Sequence, residues 1–515
     1  MKSGKVYLVG AGPGDEGLIT VRAVELLRTA QCVIYDRLVN PALLRYAPVE
    51  AELIDAGKKP GQPATADKHS LKQAQINELI ITKACEGKTV VRLKGGDPGV
   101  FGRAAEELKA LAQAGIEFEI VPGITAGIAA AAYAGITLTD RDSNSQLIFV
   151  TGHEAEGKEQ SSIDWDLLGR LNGTIVFYMG VGNLGRIADK LIANGKAAET
   201  PVVVVANATL PTQRVTGAPL SEIAAKVEES GLKPPAVIIV GTAAKSDGRL
   251  DWFMKKPLFG RSIVITRDER GNTEFASKLV RRAALPIAFE TISIRPLTES
   301  NQFLNAVKDL AGYDWVIFTS ANGIRTCFEG LKKLGGDARV FAKAKIACMG
   351  RPSAGILEQF GITADFIPTV FTSVQLAAQL AEKENLKDKK ILLFSSAITS
   401  GELAGELEKF GAIVDDVHIY TTIPTANKAD GLIEKIGVNT IDWITFTSPS
   451  TVRCFFDKVT PSLVNSSRAK VASIGPVTSA ELSRLGVKLD VQAEDYSIDG
   501  LMKAIEDFEK QQTAL

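Results

Sequence analysis

The tightest constraint on this chain is a passage written twice. Asp314-Trp315-Val316-Ile317-Phe318-Thr319-Ser320 recurs as Asp442-Trp443-Ile444-Thr445-Phe446-Thr447-Ser448. Lys345-Ile346-Ala347-Cys348-Met349-Gly350-Arg351-Pro352-Ser353 recurs as Lys470-Val471-Ala472-Ser473-Ile474-Gly475-Pro476-Val477-Thr478. The offsets are 128 and 125 residues. Two separate blocks at nearly one spacing read as two related α/β lobes in the second half. Duplication for stability alone is one explanation. A ligand in the crevice between similar lobes is the other, because pockets form preferentially at such boundaries.

The rest of the chain obeys the same grammar. Short apolar runs alternate with amphipathic stretches, the pattern of α/β units. Val6–Val9, Cys32–Tyr35, Thr89–Leu93, Phe118–Val121 and Leu147–Val150 read as strands. Val21–Ala30 and Ala104–Ala114 carry helical spacing, and Thr20 is placed to cap the first of these. Residues 234–241 read as a last strand of the first half and Ser262–Thr266 as the first of the second. A polar, basic stretch between them puts the domain boundary near 246–259. At 515 residues the length suggests three or four folding units.

Lys+Arg number 59 against 60 Asp+Glu, a formal net charge of -1. That balance argues against a nucleic-acid binder relying on bulk positive charge. The five cysteines are odd in number and lack a CxxC pair, which fits reduced thiols in a cytoplasmic protein. His69, His153 and His418 are too dispersed for a zinc cluster, and no metal is expected. The apolar runs fall short of the roughly 18 residues a membrane span needs. Pro13-Gly14-Asp15 interrupts the first run too early for a secretory signal.

Val9-Gly10-Ala11-Gly12-Pro13-Gly14-Asp15 follows a strand and precedes a helix. A dinucleotide fingerprint places its third glycine where Asp15 stands, although Asp36 at the end of the next strand mimics the ribose-binding acid. A second glycine-rich turn, Lys94–Gly102, and a third, Val121–Ala126, also follow strands. In open α/β sheets the loops at the carboxyl ends of strands form the ligand crevice. Three such loops therefore point to one site lined by backbone.

VYLVGAGPGD (Val6–Asp15), YDRLV (Tyr35–Val39), VVRLKGGDPGVFGR (Val90–Arg103), VPGITA (Val121–Ala126), GITLTDRD (Gly135–Asp142), VTGH (Val150–His153) and VFYMG (Val176–Gly180) resemble uroporphyrinogen-III C-methyltransferase, of the tetrapyrrole methylases. The resemblance runs from residue 1 to about 245. It implies two α/β subdomains with S-adenosyl-L-methionine between them, and a homodimer. It maps cofactor contacts onto Pro13, Gly95, Gly96, Asp97, Val100, Thr125, Ala126, Met179 and Ala208. It also casts Asp36 as proton acceptor and Lys58 as proton donor. Two positions depart from the family pattern: Asp140 replaces a usual His, and Ala208 replaces a usual Gly. A substrate with eight carboxylates calls for cations at the cleft mouth, for which Arg92, Lys94 and Arg103 are candidates.

From about Gly260 onward the chain resembles uroporphyrinogen-III synthase. The resemblance rests on IVITR (Ile263–Arg267), WVIFTSANG (Trp315–Gly323), VDDVHIYTT (Val414–Thr422), DWITFTSPSTV (Asp442–Val452) and VASIGPVTSAEL (Val471–Leu482). It implies a bilobal α/β fold joined by a two-stranded ladder. One lobe would hold residues 258–293 plus about 428–515, and the other 295–423, after a linker at 246–257. It casts Tyr420 as the acid assisting hydroxyl departure, and Ser320, Ser353, Ser448 and Thr478 as substrate contacts. Helix or strand-end capping explains those hydroxyls equally well. Ser395-Ser396-Ala397 stands where many members have Arg-Gly.

Together these readings imply an α/β chain throughout, a bifunctional enzyme of tetrapyrrole biosynthesis. It would cyclise hydroxymethylbilane to uroporphyrinogen III and methylate that twice to precorrin-2, toward sirohaem and cobalamin. Three rivals remain at this point. The first half could methylate protein or RNA, the second half could be a non-catalytic tetrapyrrole-binding or sensing module, or the first glycine loop could be a plain turn.

Overall fold

The computed structural model describes residues 3–57, 73–142, 144–153, 162–245, 248–399 and 401–514. They form two compact units, Met1–Arg261 with Leu279–Leu285, and Ser262–Lys278 with Pro286–Leu515. Among the described residues no helix is long and apolar enough to cross a membrane.

The first unit holds two five-stranded sheets. One contains β1 (Val6–Gly10), β2 (Cys32–Tyr35), β3 (Glu52–Asp55), β4 (Val90–Lys94) and β5 (Phe118–Val121), in the order β3-β2-β4-β1-β5. All its pairings are parallel, with Gly10 opposite Lys94 and Val9 opposite Val121. The carboxyl ends of β4, β1 and β5 therefore lie side by side. The helix Val21–Thr29 starts where the sequence places it, Thr20 accepting the Ala23 N–H at 3.2 Å.

The other sheet contains β6 (Leu147–Thr151), β7 (Thr174–Tyr178), β8 (Pro201–Ala206), β9 (Arg214–Pro219) and β10 (Ala236–Val240), ordered β6-β7-β10-β8-β9. Its β8 and β10 are continuous apolar runs because both faces are covered. Val202, Val204, Ile238 and Val240 pack into one cluster, while Val203, Val205, Val237 and Ile239 pack into another on the opposite face. The described part of the stretch read as a linker is not a free tether. Phe253 is buried, and the ring of Tyr133 meets Trp252 at 4.9 Å and Phe253 at 4.7 Å.

The second unit also holds two sheets. One is ordered β12-β11-β18-β19-β20, from β11 (Ser262–Ile265), β12 (Leu285–Ala288), β18 (Trp443–Phe446), β19 (Lys470–Ser473) and β20 (Val491–Gln492). The other is ordered β13-β17-β16-β14-β15, from β13 (Ile292–Pro296), β14 (Trp315–Phe318), β15 (Lys345–Cys348), β16 (Lys390–Ser396) and β17 (Ile413–Pro424). The long β17 runs parallel to β16 and antiparallel to β13, where Pro296 lies opposite Tyr420.

The repeated passages occupy equivalent places in these two sheets. Trp315 lies opposite Lys345 and Trp443 opposite Lys470, each lysine Nζ standing 5.4 Å from its indole. Both indoles donate to a carboxylate, Trp315 to Glu384 at 3.2 Å and Trp443 to Glu509 at 2.8 Å. Asp314 accepts the Lys390 N–H at 2.9 Å and Asp442 the Ser262 N–H at 2.8 Å, so each aspartate pins the start of the neighbouring strand. The Asp-Trp at the head of each repeat is thus an anchor at the amino ends of the strands.

The two copies differ in burial, which gives a test. Glu509 is 3% exposed and Glu384 24%. Glu509→Ala strands a buried indole N–H and should cost about 1–3 kcal/mol. Water replaces the lost partner beside Glu384, so Glu384→Ala should cost under about 1 kcal/mol. Urea midpoints of the two variants give the comparison.

Candidate active sites

Three loops meet in the first unit because their strands are neighbours. The contact is backbone on backbone. A Cβ on Gly123 would lie 2.3 Å from the Gly96 carbonyl and 2.8 Å from the Gly10 Cα. Gly12 and Gly96 exchange hydrogen bonds, Gly96 N–H to Gly12 O at 2.8 Å and Gly12 N–H to Gly96 O at 3.2 Å, with both glycines left-handed (φ 76 and 68). Asp97 accepts the Gly99 N–H at 2.8 Å through one oxygen and the Gly123 N–H at 2.9 Å through the other. Its carboxylate, read from sequence as a ligand for the cofactor's polar parts, staples two loops together.

The second subdomain closes onto these loops by hydrogen bonds. The Tyr178 hydroxyl, at the end of β7, accepts the Gly127 N–H at 2.8 Å and bonds the Thr125 hydroxyl at 2.8 Å. Burial pushes this phenol's pKa up. A closed circuit joins the first loop to the segment after β8. The Asp15 N–H donates to Thr209 Oγ1 (2.9 Å), the Thr209 N–H to Gln213 (3.0 Å), Gln213 Nε2 to the Tyr133 carbonyl (2.9 Å), and the Tyr133 hydroxyl to Asp15 (2.8 Å). Burial, and then the Asp15 carboxylate, keep the Tyr133 phenol protonated as the donor. The residue that breaks the dinucleotide fingerprint is therefore the one that ties the subdomains together.

Val100, Ala126 and Ala208 all pack against the apolar cluster of Tyr178, Val176 and Val205, so the structure brings them onto one wall. Pro13, Gly95 and Gly96 lie in the stacked loops. Met179 follows β7, is 55% exposed and has φ 54. Phe101, Arg103, Asn207 and Thr209 are also left-handed. Backbone strain of this kind gathers at functional sites.

Asp36 follows β2 directly, beside β4, and here one expectation needs correcting. Arg92 and Lys94 do not line a cleft mouth; they are 1% and 3% exposed. Alternation along β4 sends both to one face, under the helix Ala104–Gln113, where they meet the buried Glu107. Arg92 Nη2 donates to Asp36 Oδ1 at 2.5 Å and its Nε to Glu107 Oε1 at 3.2 Å; Lys94 donates to the same Glu107 oxygen at 2.9 Å. Burial, and then Arg92, lower the Lys94 pKa. Arg103 is exposed and paired with Glu106 at 2.7 Å. Lys58 lies outside the described residues.

In the second unit β16 and β17 shift register between Ser395 and Ser396. Val417 and Ile419 face one core cluster, and the bulge turns Tyr420 to the same cluster, breaking strict alternation. The Tyr420 hydroxyl bonds Ser320 Oγ at 2.9 Å. Burial raises the phenol's pKa, opposed by Ser320 and Ser396, with Asp268 among the neighbouring charges. The Ser396 hydroxyl itself is buried without a partner of good geometry. Ser320 also caps its helix, accepting the Gly323 N–H at 3.0 Å. Ser448 caps the helix Pro449–Phe456 in a reciprocal box with Thr451. Ser353 and Thr478 are buried at matching places in the first turns of Arg351–Glu358 and Pro476–Arg484. Tyr420 and Ser320 are thus brought together; Ser448 and Thr478 belong to the other sheet.

Two clusters in this unit escaped the sequence reading. Arg325 is mostly buried, its Nε without a partner, while Nη2 donates to Glu274 at 2.8 Å. Burial, and the nearby Arg270 and Arg267, lower its pKa against the pull of Glu274. The Arg267 ending IVITR was the available signal. Ser395 donates to Asp416 at 2.5 Å and so receives the His418 Nδ1–H at 2.8 Å. This chain borders a cavity of about 290 Å³ lined by Thr319, Met349, Ser373, Ser395, Glu402 and Asp416. Its signal was the Asp-x-His spacing on one strand.

Comparison with known proteins matches the model of Tetrapyrrole (Corrin/Porphyrin) Methylases at residues 5–224. The model of Uroporphyrinogen-III synthase HemD matches residues 273–503. The chain is similar to a Ruminiclostridium josui protein named Porphyrin biosynthesis protein HemD, 38% identical over 502 residues, 98% of this chain and 97% of that one. Its first half is similar to the S-adenosyl-L-methionine-dependent uroporphyrinogen III methyltransferase of Methanosarcina barkeri, 50% identical over 238 residues, 46% of this chain and 91% of that one. It is also similar to a solved structure of uroporphyrin-III C-methyl transferase from Thermus thermophilus complexed with S-adenyl homocysteine, 38% identical, covering 47% of this chain and 99% of that one with a TM-score of 0.40.

The subdomain junction can be tested directly. Tyr178→Phe leaves the buried Gly127 N–H without an acceptor. It should lower the stability of the first unit by about 1–3 kcal/mol, read from its denaturant midpoint.

Proposed function

The chain belongs to the tetrapyrrole methylase and uroporphyrinogen-III synthase families, joined in that order, and from this premise we propose that it makes uroporphyrinogen III in its second unit and methylates it in its first. The product would be precorrin-2, the branch toward sirohaem and cobalamin, made in the cytoplasm by a chain that dimerises through its methylase half. The observation that carries the reading is the stack of three backbone loops beside Asp36, closed by the Asp15 circuit.

The residues present fit S-adenosyl-L-methionine. Bare glycine backbone, the small apolar wall of Val100, Ala126 and Ala208, and the half-exposed Met179 offer polar groups and an apolar slot at one place. When bound, this co-substrate supplies an activated methyl group. The chain's own contribution is alignment and exclusion of water. A carbon–carbon bond forms at an electron-rich pyrrole carbon as the carbon–sulfur bond breaks, and the ring must then lose a proton. Asp36, half-exposed with Oδ1 held by Arg92, leaves Oδ2 to receive it. Lys58 is the proposed partner donor.

In the second unit Tyr420 carries its proton at pH 7 as any phenol does, and burial raises its pKa further; we assign it as the donor on its bond to Ser320. Its proton would leave with the hydroxyl of hydroxymethylbilane as water. Ring closure with inversion of the last pyrrole would follow. Ser320 fixes the phenol, and Arg267, Arg270 and Arg325, which share their site with Asp268, Glu274 and Glu329, are the proposed cations for a polycarboxylate. Ser353, Ser448 and Thr478 are further proposed substrate contacts.

Hydroxymethylbilane and methyl-labelled S-adenosyl-L-methionine given to the whole protein should yield a cyclic product carrying two labels. No labelled cyclic product would overturn the bifunctional reading. Tyr420→Phe should lower cyclisation by about 10²-fold or more yet leave methylation of supplied uroporphyrinogen III unchanged. Gly123→Ala should weaken cofactor binding at least about tenfold, since the added carbon separates the loops. Calorimetric titration with S-adenosylhomocysteine reads this out.

A further inference from the structure

Of the buried charges beneath Asp36, only Arg92 has a part in the chemistry described so far. Arg92, Lys94 and Glu107 lie on the apolar side of the sheet, and Glu107 has no exposed side-chain surface. One of its oxygens, Oε2, is buried with no hydrogen-bond partner. The other, Oε1, receives Arg92 Nε (3.2 Å), Lys94 Nζ (2.9 Å) and Gln73 Nε2 (3.2 Å). Taking three such charges out of water is costly, and well-packed apolar residues serve stability as well or better. Stability does not account for the cluster.

Its geometry has one outlet. Arg92 is fixed at both ends, by Glu107 through Nε and by the Ile34 and Leu93 carbonyls through Nη1, each at 3.4 Å. That leaves Nη2 aimed at Asp36 Oδ1, 2.5 Å away. Lys94 Nζ stands 3.9 Å from the other Asp36 oxygen, Oδ2, because Glu107 holds it. Of the nearby acids, Asp55 on β3 is turned to its own Gly57 N–H at 2.8 Å. Glu107 is therefore the group that decides how Asp36 is held.

We infer that Glu107 is a positioning residue for Asp36: it orients Arg92 onto Oδ1 and keeps Lys94 off Oδ2, so that Oδ2 stays open to accept a proton. The inference rests on the reading that Asp36 accepts the ring proton. Without the Glu107 charge, Lys94 has only Asp36 to pair with. It moves onto Oδ2 and blocks the accepting atom. Losing a cation together with the anion removes that competitor.

The test measures methylation of supplied uroporphyrinogen III by the full chain, with kcat, both KM values and thermal unfolding. Glu107→Gln, nearly the same size, should lower kcat by about 10- to 100-fold with both KM values unchanged. The double variant Glu107→Gln with Lys94→Met should recover most of that loss. A merely structural Glu107 would give no such rescue, and its absence would overturn the inference. Wild-type kcat in Glu107→Gln, beside an inactive Asp36→Asn, would overturn this inference alone. Full activity in Asp36→Asn would overturn the proton-acceptor reading and this inference with it. Should Glu107→Gln fail to fold, Arg92→Lys decides. It keeps the charge but loses the planar fork, and should show the same fall in kcat; wild-type kcat there would again overturn the idea.

Discussion

Gly10, Gly96 and Gly123 touch with no room for a side chain between them, and the first unit is arranged around that contact. Three parallel strands in the order β4-β1-β5 deliver three loops to one place. Only bare backbone lets them stack closely enough for Gly12 and Gly96 to bond each other. Once stacked, the loops expose N–H and C=O groups in a fixed pattern, and Asp97 holds that pattern by accepting from two of them. The second subdomain then has a rigid surface to close on, which it does through Tyr178 and through the Asp15–Thr209–Gln213–Tyr133 circuit. Glycine supplies the proximity; the hydroxyls and two aspartates supply the locking.

The second unit separates the two ends of its strands by task. At the amino ends sit the anchors of the repeat: Asp314 and Asp442 on neighbouring strand N–H groups, and the Trp–Lys–Glu sets on β14–β15 and β18–β19. At the carboxyl ends sit Ser320, Tyr420 and the arginine cluster. The repeat also holds at the carboxyl ends, where Phe318-Thr319-Ser320 matches Phe446-Thr447-Ser448 and Ser353 stands for Thr478, while the register shift after Ser395 lies between β16 and β17. Duplication preserved the scaffold and the capping serines Ser320 and Ser448 alike; Tyr420 bonds only the first of them.

This division also explains what was legible in the sequence. Strands such as Cys32–Tyr35 and Phe118–Val121, the cap at Thr20, and the convergence of three glycine loops all follow from local patterns. The α/β class follows from their alternation. Arg92 and Lys94 were misread because a basic residue just before a glycine loop looks like a mouth residue. Strand alternation puts both on the face covered by Ala104–Gln113, and the partner that makes burial tolerable, Glu107, is 15 and 13 residues away. The Asp15–Thr209 bond joins positions 194 apart, and no local pattern announces it. The bulge that turns Tyr420 to its core cluster leaves no mark in the composition of β17. Local periodicity writes the elements; the partners of buried polar groups are written by tertiary proximity.

Net charge conceals the same logic. The chain sums to -1, and its most buried group of ions is neutral by itself. The set of Asp36, Arg92, Lys94 and Glu107 balances to zero within one face of one sheet. An apolar face there would cover the helix as well, since desolvation offsets much of what the ions gain from each other. An apolar face could not fix the orientation of a half-exposed carboxylate, because a freely rotating Asp36 would present either oxygen, or neither, to a substrate. Two donors of different shape solve this: a planar guanidinium that grips one oxygen, and an ammonium that a third charge keeps at a distance from the other. The set of Arg267, Arg270 and Arg325 is matched in the same way by Asp268, Glu274 and Glu329, so a polycarboxylate there would have to compete with acids already in place.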